Sequence, residues 1–396
     1  MATRKTKAKA AALKPVGKGS SRKTSAKSAD VPAVVPPLSE IRARIDGIDS
    51  RLLELLSERA RLAQVVGQSK RQQENISTAD LYRPERESQV LRRVLENNNG
   101  PLRNEEVARL FREIMSACLA QQEPLKVGFL GPEGTFTQQA VYKHFGHSVR
   151  GVSLSSIPEV FHEVEAGHTD FGVVPIENST GGVVEFAIDM FLNTPLKICG
   201  EIELRVHQNL MGRMNGLKAI KRVCSHPQSL SQCQQWLHEH LPDVELIPVV
   251  SNSEAARRAR DEEGTAAIAG QIAAEIYKLD IIVPEIEDRA DNTTRFIVLG
   301  RKSFAPSGHD KTTLMVSSGD TQSPGTLHRL LAPLARNQIS MSRIESRPSR
   351  RKKWDYVFFM DVEGHMDTEP LRSALQELKQ HSSLFKVLGS YPAAVL

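Results

Sequence analysis

Four short segments in the middle of the chain gather hydrogen-bonding residues where strand-like runs end: Gly131–Phe136, Pro175–Gly182, Ser225–Gln228 with Gln232, and Asp291–Phe296. Open α/β sheets bind ligands at such strand ends. The first segment follows a strand and opens a helix, a place that suits an anion such as a carboxylate. Its glycines, Gly128, Gly131 and Gly134, do not have the Gly-x-Gly-x-x-Gly spacing, so nicotinamide binding is unsupported. Upstream, Arg59 stands on the apolar stripe of a long helical pattern. An arginine there is costly unless it meets an anion, and Lys70 returns to nearly the same face at ~100° per residue. Neither His162-Glu163 with His168 nor His238-Glu239-His240 has the spacing that two metal ligands on one helix need, so neither a metal nor a cofactor is expected.

Three kinds of pattern must position these residues. Leu38, Ile41, Ile45, Ile48, Leu52, Leu55, Leu62 and Val66 recur in steps of three and four, which predicts a long amphipathic helix. Two further helices are predicted, from about Pro84 to Asn97 and from Asn104 to about Gln121. Strand-like runs and helices then alternate from Lys126 to about Gly300, predicting an α/β domain with largely parallel sheets. Beyond the Pro306-Ser307-Gly308 joint, the order βαββαβ predicts a ferredoxin-like α+β unit. The expected organisation is a basic tail with a Pro-rich linker (1–37), a helical domain (38–123), an α/β domain (126–302) and a C-terminal domain (311–391).

Composition narrows the function classes. Forty per cent hydrophobic and 25% charged residues describe an ordinary globular protein, and no apolar run approaches the ~20 residues of a membrane span. The first 30 residues hold nine Lys/Arg against Asp30 alone, so the net charge of +5 belongs to a tail expected to be disordered, and the remainder is slightly acidic. Weak nucleic-acid contact through that tail is conceivable but not expected to define function. Cys118, Cys199, Cys224 and Cys233 form no Cys-x-x-Cys pair, which fits reduced thiols in the cytoplasm.

The helical segment, with Leu-Ser-Glu-Ile-Arg from Leu38, Leu-Leu-Glu-Leu-Leu-Ser-Glu-Arg ending at Arg59, then Lys70 and Arg86-Glu87, resembles the all-helical chorismate mutases. The resemblance implies a pericyclic rearrangement of chorismate to prephenate, which needs a carboxylate clamp and donors at the ether oxygen. By resemblance Arg59 clamps a carboxylate, Lys70 and Gln122 donate to the ether oxygen, Glu87 accepts the ring hydroxyl, and Arg86 adds positive field. Arg83 and Cys118 stand where the family has an acid and a serine, and Cys118 is carried over as substrate-binding. Arg42 matches another carboxylate ligand but lies about 25 Å from Arg59 along a straight helix. The family solves this by interlacing two chains, so a homodimer or higher oligomer is implied.

Gly131–Phe136, Pro175–Gly182, Ser225–Gln228 with Gln232, and Asp291–Phe296 together resemble prephenate dehydratase, whose fold is two α/β lobes around a cleft, like periplasmic binding proteins. That implies loss of carbon dioxide and hydroxide from prephenate, driven by aromatisation to phenylpyruvate. Thr294 then assists the leaving hydroxyl, Arg295 anchors a carboxylate, and Thr135, Asn178, Ser225 and Gln232 contact the substrate. Threonine is a poor acid, so an organising neighbour is required, and Glu177 is the candidate. Ser323-Pro324-Gly325-Thr326-Leu327 and Glu345-Ser346-Arg347-Pro348 resemble the ACT domain that senses L-phenylalanine in this family, implicating Gly325, Glu345, Ser346, Arg347 and Pro348 as allosteric residues. A feedback-inhibited bifunctional enzyme is the leading reading; a non-catalytic ligand sensor is the alternative.

Overall fold

The computed structural model describes residues 36–73, 81–318, 324–349 and 356–395. The expected basic tail, most of its linker, and Ser323 lie outside the described residues. The chain divides into two compact units, Met1–Glu54 and Leu55–Leu396.

Helix α1 (Leu38–Gln73) forms as the three-and-four spacing predicts. Its stripe is bare, however. Ile45, Ile48 and Leu52 of the first unit are exposed, as are Leu55, Leu62 and Val66 of the second. Helices α2 (Pro84–Glu96) and α3 (Asn104–Ala120) pack together, burying Leu91 and Ala108. Just before α2, Tyr82 lies edge-on to Phe171 and tilted against Phe145, so an aromatic cluster anchors these helices to the α/β domain.

The α/β domain has two lobes. In the first, β1 (Lys126–Leu130), β2 (Arg150–Leu154), β3 (Phe171–Asn178), β5 (Lys197–Arg205) and β11 (Thr293–Gly300) form a sheet ordered β2-β1-β3-β11-β5, with the short β4 (Gly182–Val183) on β3. In the second, β6 (Asn209–Gly212), β7 (Arg222–Ser225), β8 (Glu245–Pro248), β9 (Thr265–Ala269) and β10 (Asp280–Val283) are ordered β10-β6-β9-β7-β8. The second lobe interrupts the first, because β11 returns to pair between β3 and β5. That return corrects the expectation of largely parallel sheets. β1 runs parallel to β2 and β3, but β11 is antiparallel to both its neighbours. In the second lobe, β6 and β10 were not foreseen as strands, and each pairs antiparallel.

Helices α4 (Phe136–Phe145), α5 (Ile157–Ala166) and α6 (Glu185–Met190) accompany the first sheet. Helices α7 (Pro227–Gln232), α8 (Gln234–His240), α9 (Asn252–Asp261) and α10 (Gln271–Tyr277) accompany the second. Small residues set the close spacing of α9 on β9: Ala255, Ala256 and Ala259 meet Ala267 and Ala269 in one core.

The C-terminal domain is ferredoxin-like as predicted. β12 (Asp310–Ser317), β13 (Met341–Pro348), β14 (Tyr356–Glu363) and β15 (Leu384–Pro392) form an antiparallel sheet ordered β13-β14-β12-β15, with α11 (Thr326–Arg336) packed on α12 (Leu371–Gln380). Its other sheet face shares a core with the first lobe, where Val357, Phe359, Leu388 and Tyr391 join Ile188, Ile198 and Ile297. The approach is closest at Gly389, where an added Cβ would lie 2.0 Å from the Ile198 carbonyl oxygen. Backbone cannot yield as a flexible side chain can, so Gly389→Ala is expected to destabilise the chain by about 1–3 kcal/mol. Urea unfolding checks this: an unchanged midpoint and slope would show that the two sheets do not dock as described.

Candidate active sites

A cavity of ≈ 180 Å³ opens between the two lobes and brings Thr135, Asn178, Gln208, Gln232, Asn292 and Thr294 to its wall. Thr294 is the first described side chain of β11 to face it. The Asn178 amide nitrogen donates to Thr294 Oγ1 at 2.8 Å and to Asn292 Oδ1 at 2.9 Å. The Asn178 oxygen accepts from Thr180 N (3.1 Å), Thr180 Oγ1 (2.9 Å) and Gly181 N (2.7 Å), which fixes the amide's orientation. Thr294 Oγ1 therefore accepts from Asn178, and its own proton is left to donate into the cavity. Accepting one hydrogen bond polarises a hydroxyl toward donating another.

Two expectations are corrected by strand geometry. Side chains alternate across a strand, and Thr294 pairs with Asn178 while Arg295 pairs with Glu177. Asn178, not Glu177, is therefore the organising neighbour of Thr294. Glu177 turns to the opposite face and binds Arg343 Nε of β13 at 2.9 Å. Arg295 does not reach the cavity either. It is held between Glu201 (3.0 Å) and Asp361 (2.5 Å), at the junction with the ferredoxin-like domain.

The opposite wall is built by a chain of amides and hydroxyls. Gln208 Nε2 donates to Ser229 Oγ (3.1 Å) and Gln232 Oε1 (3.0 Å), and Asn252 Nδ2 donates to Ser229 Oγ (2.9 Å). Ser225 stands behind this wall, fully buried, with Oγ donating to the Ile268 carbonyl (2.7 Å). It shapes the site without lining it, contrary to the expectation of direct contact. Thr135 caps α4 at the cavity, and Ser251 caps α9 there; each side chain accepts from its own helix. Two orphans escaped the sequence reading. Asn292 Nδ2 and Gln208 Oε1 are buried with no partner among the described residues, in side chains 2% and 1% exposed. Asn292 lies within a segment already singled out, but nothing in one sequence separates a substrate-facing amide from a turn-forming one.

A second cavity, also ≈ 180 Å³, lies by the helices and is lined by Lys70, Arg83, Arg86 and Glu87. Burial, then Arg83, lowers the Lys70 pKa. Burial drives the Glu87 carboxyl up to about 7 despite Arg112 at 3.7 Å. Beside it, the Tyr82 hydroxyl meets His144 Nε2 at 3.1 Å, and burial followed by Arg112 depresses His144 to about 3. Arg59 is half-buried on α1, outside this cavity, and Arg42 is exposed in the first unit. Gln122 is also outside it. Its Nε2 donates to the Ala63 carbonyl (3.0 Å), and its oxygen lies so close to α1 that a Cβ on Gly67 would overlap it. Cys118 is buried and away from the cavity lining, so within this chain it contributes to the core and not to substrate contact.

In the ferredoxin-like domain, Gly325 precedes α11 at φ 78°, a conformation suited to glycine. The Glu345–Pro348 segment alternates. Glu345 and Arg347 are half-buried, whereas Ser346 and Pro348 are exposed. Arg347 binds Glu185 (2.9 Å) and Asp189 (3.5 Å) of α6, so it joins domains and is not free for a ligand, which corrects its assignment as a ligand residue.

Three family models match the chain: Chorismate mutase type II over residues 41–123, Prephenate dehydratase over 127–304, and ACT domain over 312–380. A bifunctional chorismate mutase/prephenate dehydratase of Pseudomonas aeruginosa is 51% identical, over 91% of this chain and 98% of its own length. The crystal structure of a prephenate dehydratase from Arthrobacter aurescens in complex with L-Phe is similar at 32% identity and TM-score 0.63, over 68% of this chain and 90% of that one. A structure described as a quorum quenching acylase matches at 28% identity and TM-score 0.62, over 68% and 98%.

The half-buried Glu87 and His144 make opposite contributions to stability with pH. Glu87 is raised from 4.5 to about 7, so the folded state keeps a proton the unfolded chain loses, and stability falls as pH rises between those values. His144 is lowered from 6.5 to about 3, so its contribution is lost as pH falls from 6.5 toward 3. Between 4.5 and 6.5 the two slopes oppose each other. Glu87→Gln is expected to unmask the His144 slope there and to gain on the order of 1–3 kcal/mol over the parent above neutrality. Urea midpoints measured across pH decide it; parallel curves for parent and variant would remove Glu87 from the account.

Proposed function

The chain belongs to the bifunctional chorismate mutase/prephenate dehydratase family, and from that membership we propose which residues perform each step and how the protein is regulated. The domains are read as a helical mutase (38–123), a dehydratase (126–302) and an ACT domain (311–391). The observation that carries the dehydratase assignment is Asn178 donating to Thr294 Oγ1 at the cavity between the lobes.

In the dehydratase reaction the bond from the ring to its carboxylate carbon breaks and carbon dioxide leaves. The electron pair enters the ring, which becomes aromatic as the opposite carbon releases its hydroxyl. Thr294 donates to that hydroxyl as it departs, and the Asn178 amide supports the negative charge gathering on the threonine oxygen. The Asn292 amide donor, buried and unpartnered, supplies a further hydrogen bond to substrate oxygen. The helix α4 N-terminus, capped by Thr135, favours the pyruvyl carboxylate.

For the mutase, Lys70, Arg86 and Glu87 share one cavity, and Arg59 and Gln122 complete the set in the assembled enzyme. The exposed stripe of α1 supports a homodimer in which a partner copy contributes Arg42. Among the described residues no helix is long and apolar enough to cross a membrane. All four cysteines are free and buried, which supports a cytoplasmic site of action. L-Phenylalanine is the proposed feedback inhibitor, supported by the ACT domain match and the L-Phe complex of the Arthrobacter enzyme.

Supplying chorismate should yield prephenate and then phenylpyruvate, with the second step slowed by added L-phenylalanine. Thr294→Ala is expected to cut dehydratase kcat by about 10²–10⁴-fold and leave mutase turnover intact. Undiminished dehydratase turnover in that variant would sink the catalytic assignment. Because Glu87 titrates near neutrality and is assigned as an acceptor, mutase kcat/KM should rise as pH rises through about 7. Glu87→Gln should lower and flatten that profile, whereas an unchanged rise would place the titration elsewhere.

A further inference from the structure

Arg295 follows Thr294 on β11, and its guanidinium is fully engaged on the far side of the strand. Nη1 donates to Asp361 Oδ2 at 2.5 Å, Nη2 to the Tyr391 hydroxyl at 3.2 Å, and Nε to Glu201 Oε2 at 3.1 Å. Asp361 and Tyr391 belong to the ACT domain and are 2% and 1% exposed. Thr313 of β12 closes the ring, donating to Asp361 Oδ1 at 2.7 Å and lying 2.8 Å from the Tyr391 hydroxyl. The hydrogens fit one direction round this ring: Arg295 to Tyr391, Tyr391 to Thr313, Thr313 to Asp361. Lys311 holds the other Glu201 oxygen at 2.7 Å, so two cations face two anions.

Adhesion between the domains does not require these charges. Ile198, Val357, Phe359 and Leu388 already form a shared apolar core, and buried ion pairs add little net stability over apolar residues of similar size. Such a network supplies direction instead. It acts where β11 needs it, since the pairing register with β3 shifts between Arg295 and Phe296. Irregular pairing of this kind re-aims neighbouring side chains.

We propose that Asp361 and Tyr391 of the ACT domain are positioning residues of the dehydratase site: by clamping Arg295 they set the orientation of β11 that places Thr294 Oγ1 against Asn178. The ACT domain is then part of the catalytic geometry whether or not an effector is bound. This rests on Thr294 being the catalytic hydroxyl, as proposed above.

The test uses the full chain without phenylalanine and compares Tyr391→Phe, Asp361→Asn, Thr294→Ala and the double variant Asp361→Asn/Thr294→Ala. Dehydratase kcat is expected to fall about tenfold in Tyr391→Phe and about 100-fold in Asp361→Asn. KM should change by less than about twofold and mutase turnover should hold, since misplacing a catalytic group by ~1 Å costs on this scale. In the double variant, Asp361→Asn should add nothing to the loss caused by Thr294→Ala, as expected of residues that act as one unit. Parent kcat in both single ACT variants, with only a lower melting temperature, overturns the proposal. So does a loss of the same proportion with and without Thr294. If Asp361→Asn does not fold, Tyr391→Phe, which removes one oxygen atom, decides alone. Full turnover in Thr294→Ala would instead topple the catalytic assignment, and the positioning role with it.

Discussion

A β-strand shows successive side chains to opposite faces, and on β11 that simple rule divides the labour of the enzyme. Thr294 turns to the cleft and Arg295 to the ACT domain. Its neighbour β3 is divided in the same register, with Asn178 facing the cleft and Glu177 bound to Arg343. Neither strand could shift by one residue without sending a carboxylate or a guanidinium into the cavity and withdrawing the hydroxyl. The register is therefore locked from both sides, by neutral hydrogen bonds on one face and ion pairs on the other.

The same division explains how far the sequence could be read. Periodicity revealed α1 and the ferredoxin-like order because those patterns are local. The cleft was legible through Pro175–Asn178 and Thr293–Phe296, since strand ends in an α/β sheet are where ligands bind. What was not legible was the second face. Assigning Arg295 to a substrate carboxylate is reasonable until Asp361, 66 residues away in sequence, is seen to hold it. Arg347 was misread for the same reason, because α6 approaches it only once the domains are docked. The antiparallel strands β6 and β10 were missed because each is four residues long and finds its partner far away in sequence, β10 on β6 and β6 on β9.

On the helical side the limit is different in kind. Arg59 was singled out because it interrupts an apolar stripe, at a cost that function must offset, whereas the roles of Lys70, Glu87 and Gln122 came from the resemblance. A single chain brings only Lys70, Arg86 and Glu87 to one cavity and leaves the α1 stripe exposed. An apolar stripe of that length is stable in water only against a matching surface. The exposed stripe and the incomplete site thus both support the proposed homodimer.

The cavity between the lobes, proposed as the dehydratase site, carries a further consequence of leaving Arg295 outside. Its lining includes amides, hydroxyls and His226, with no lysine or arginine among the described residues. Prephenate is an anion, so a cationic pocket would bind it more tightly. Yet the reaction requires one carboxylate to surrender its electrons to the ring. A cation held against that group would stabilise the starting charge more than the transition state, and so slow the step. Neutral donors and the partial charge of the α4 N-terminus can hold the pyruvyl carboxylate, which keeps its charge throughout. The arginine that the motif places beside the proposed catalytic threonine is therefore more useful on the other side of the strand, where its charge is matched by Glu201 and Asp361 and does not oppose the chemistry.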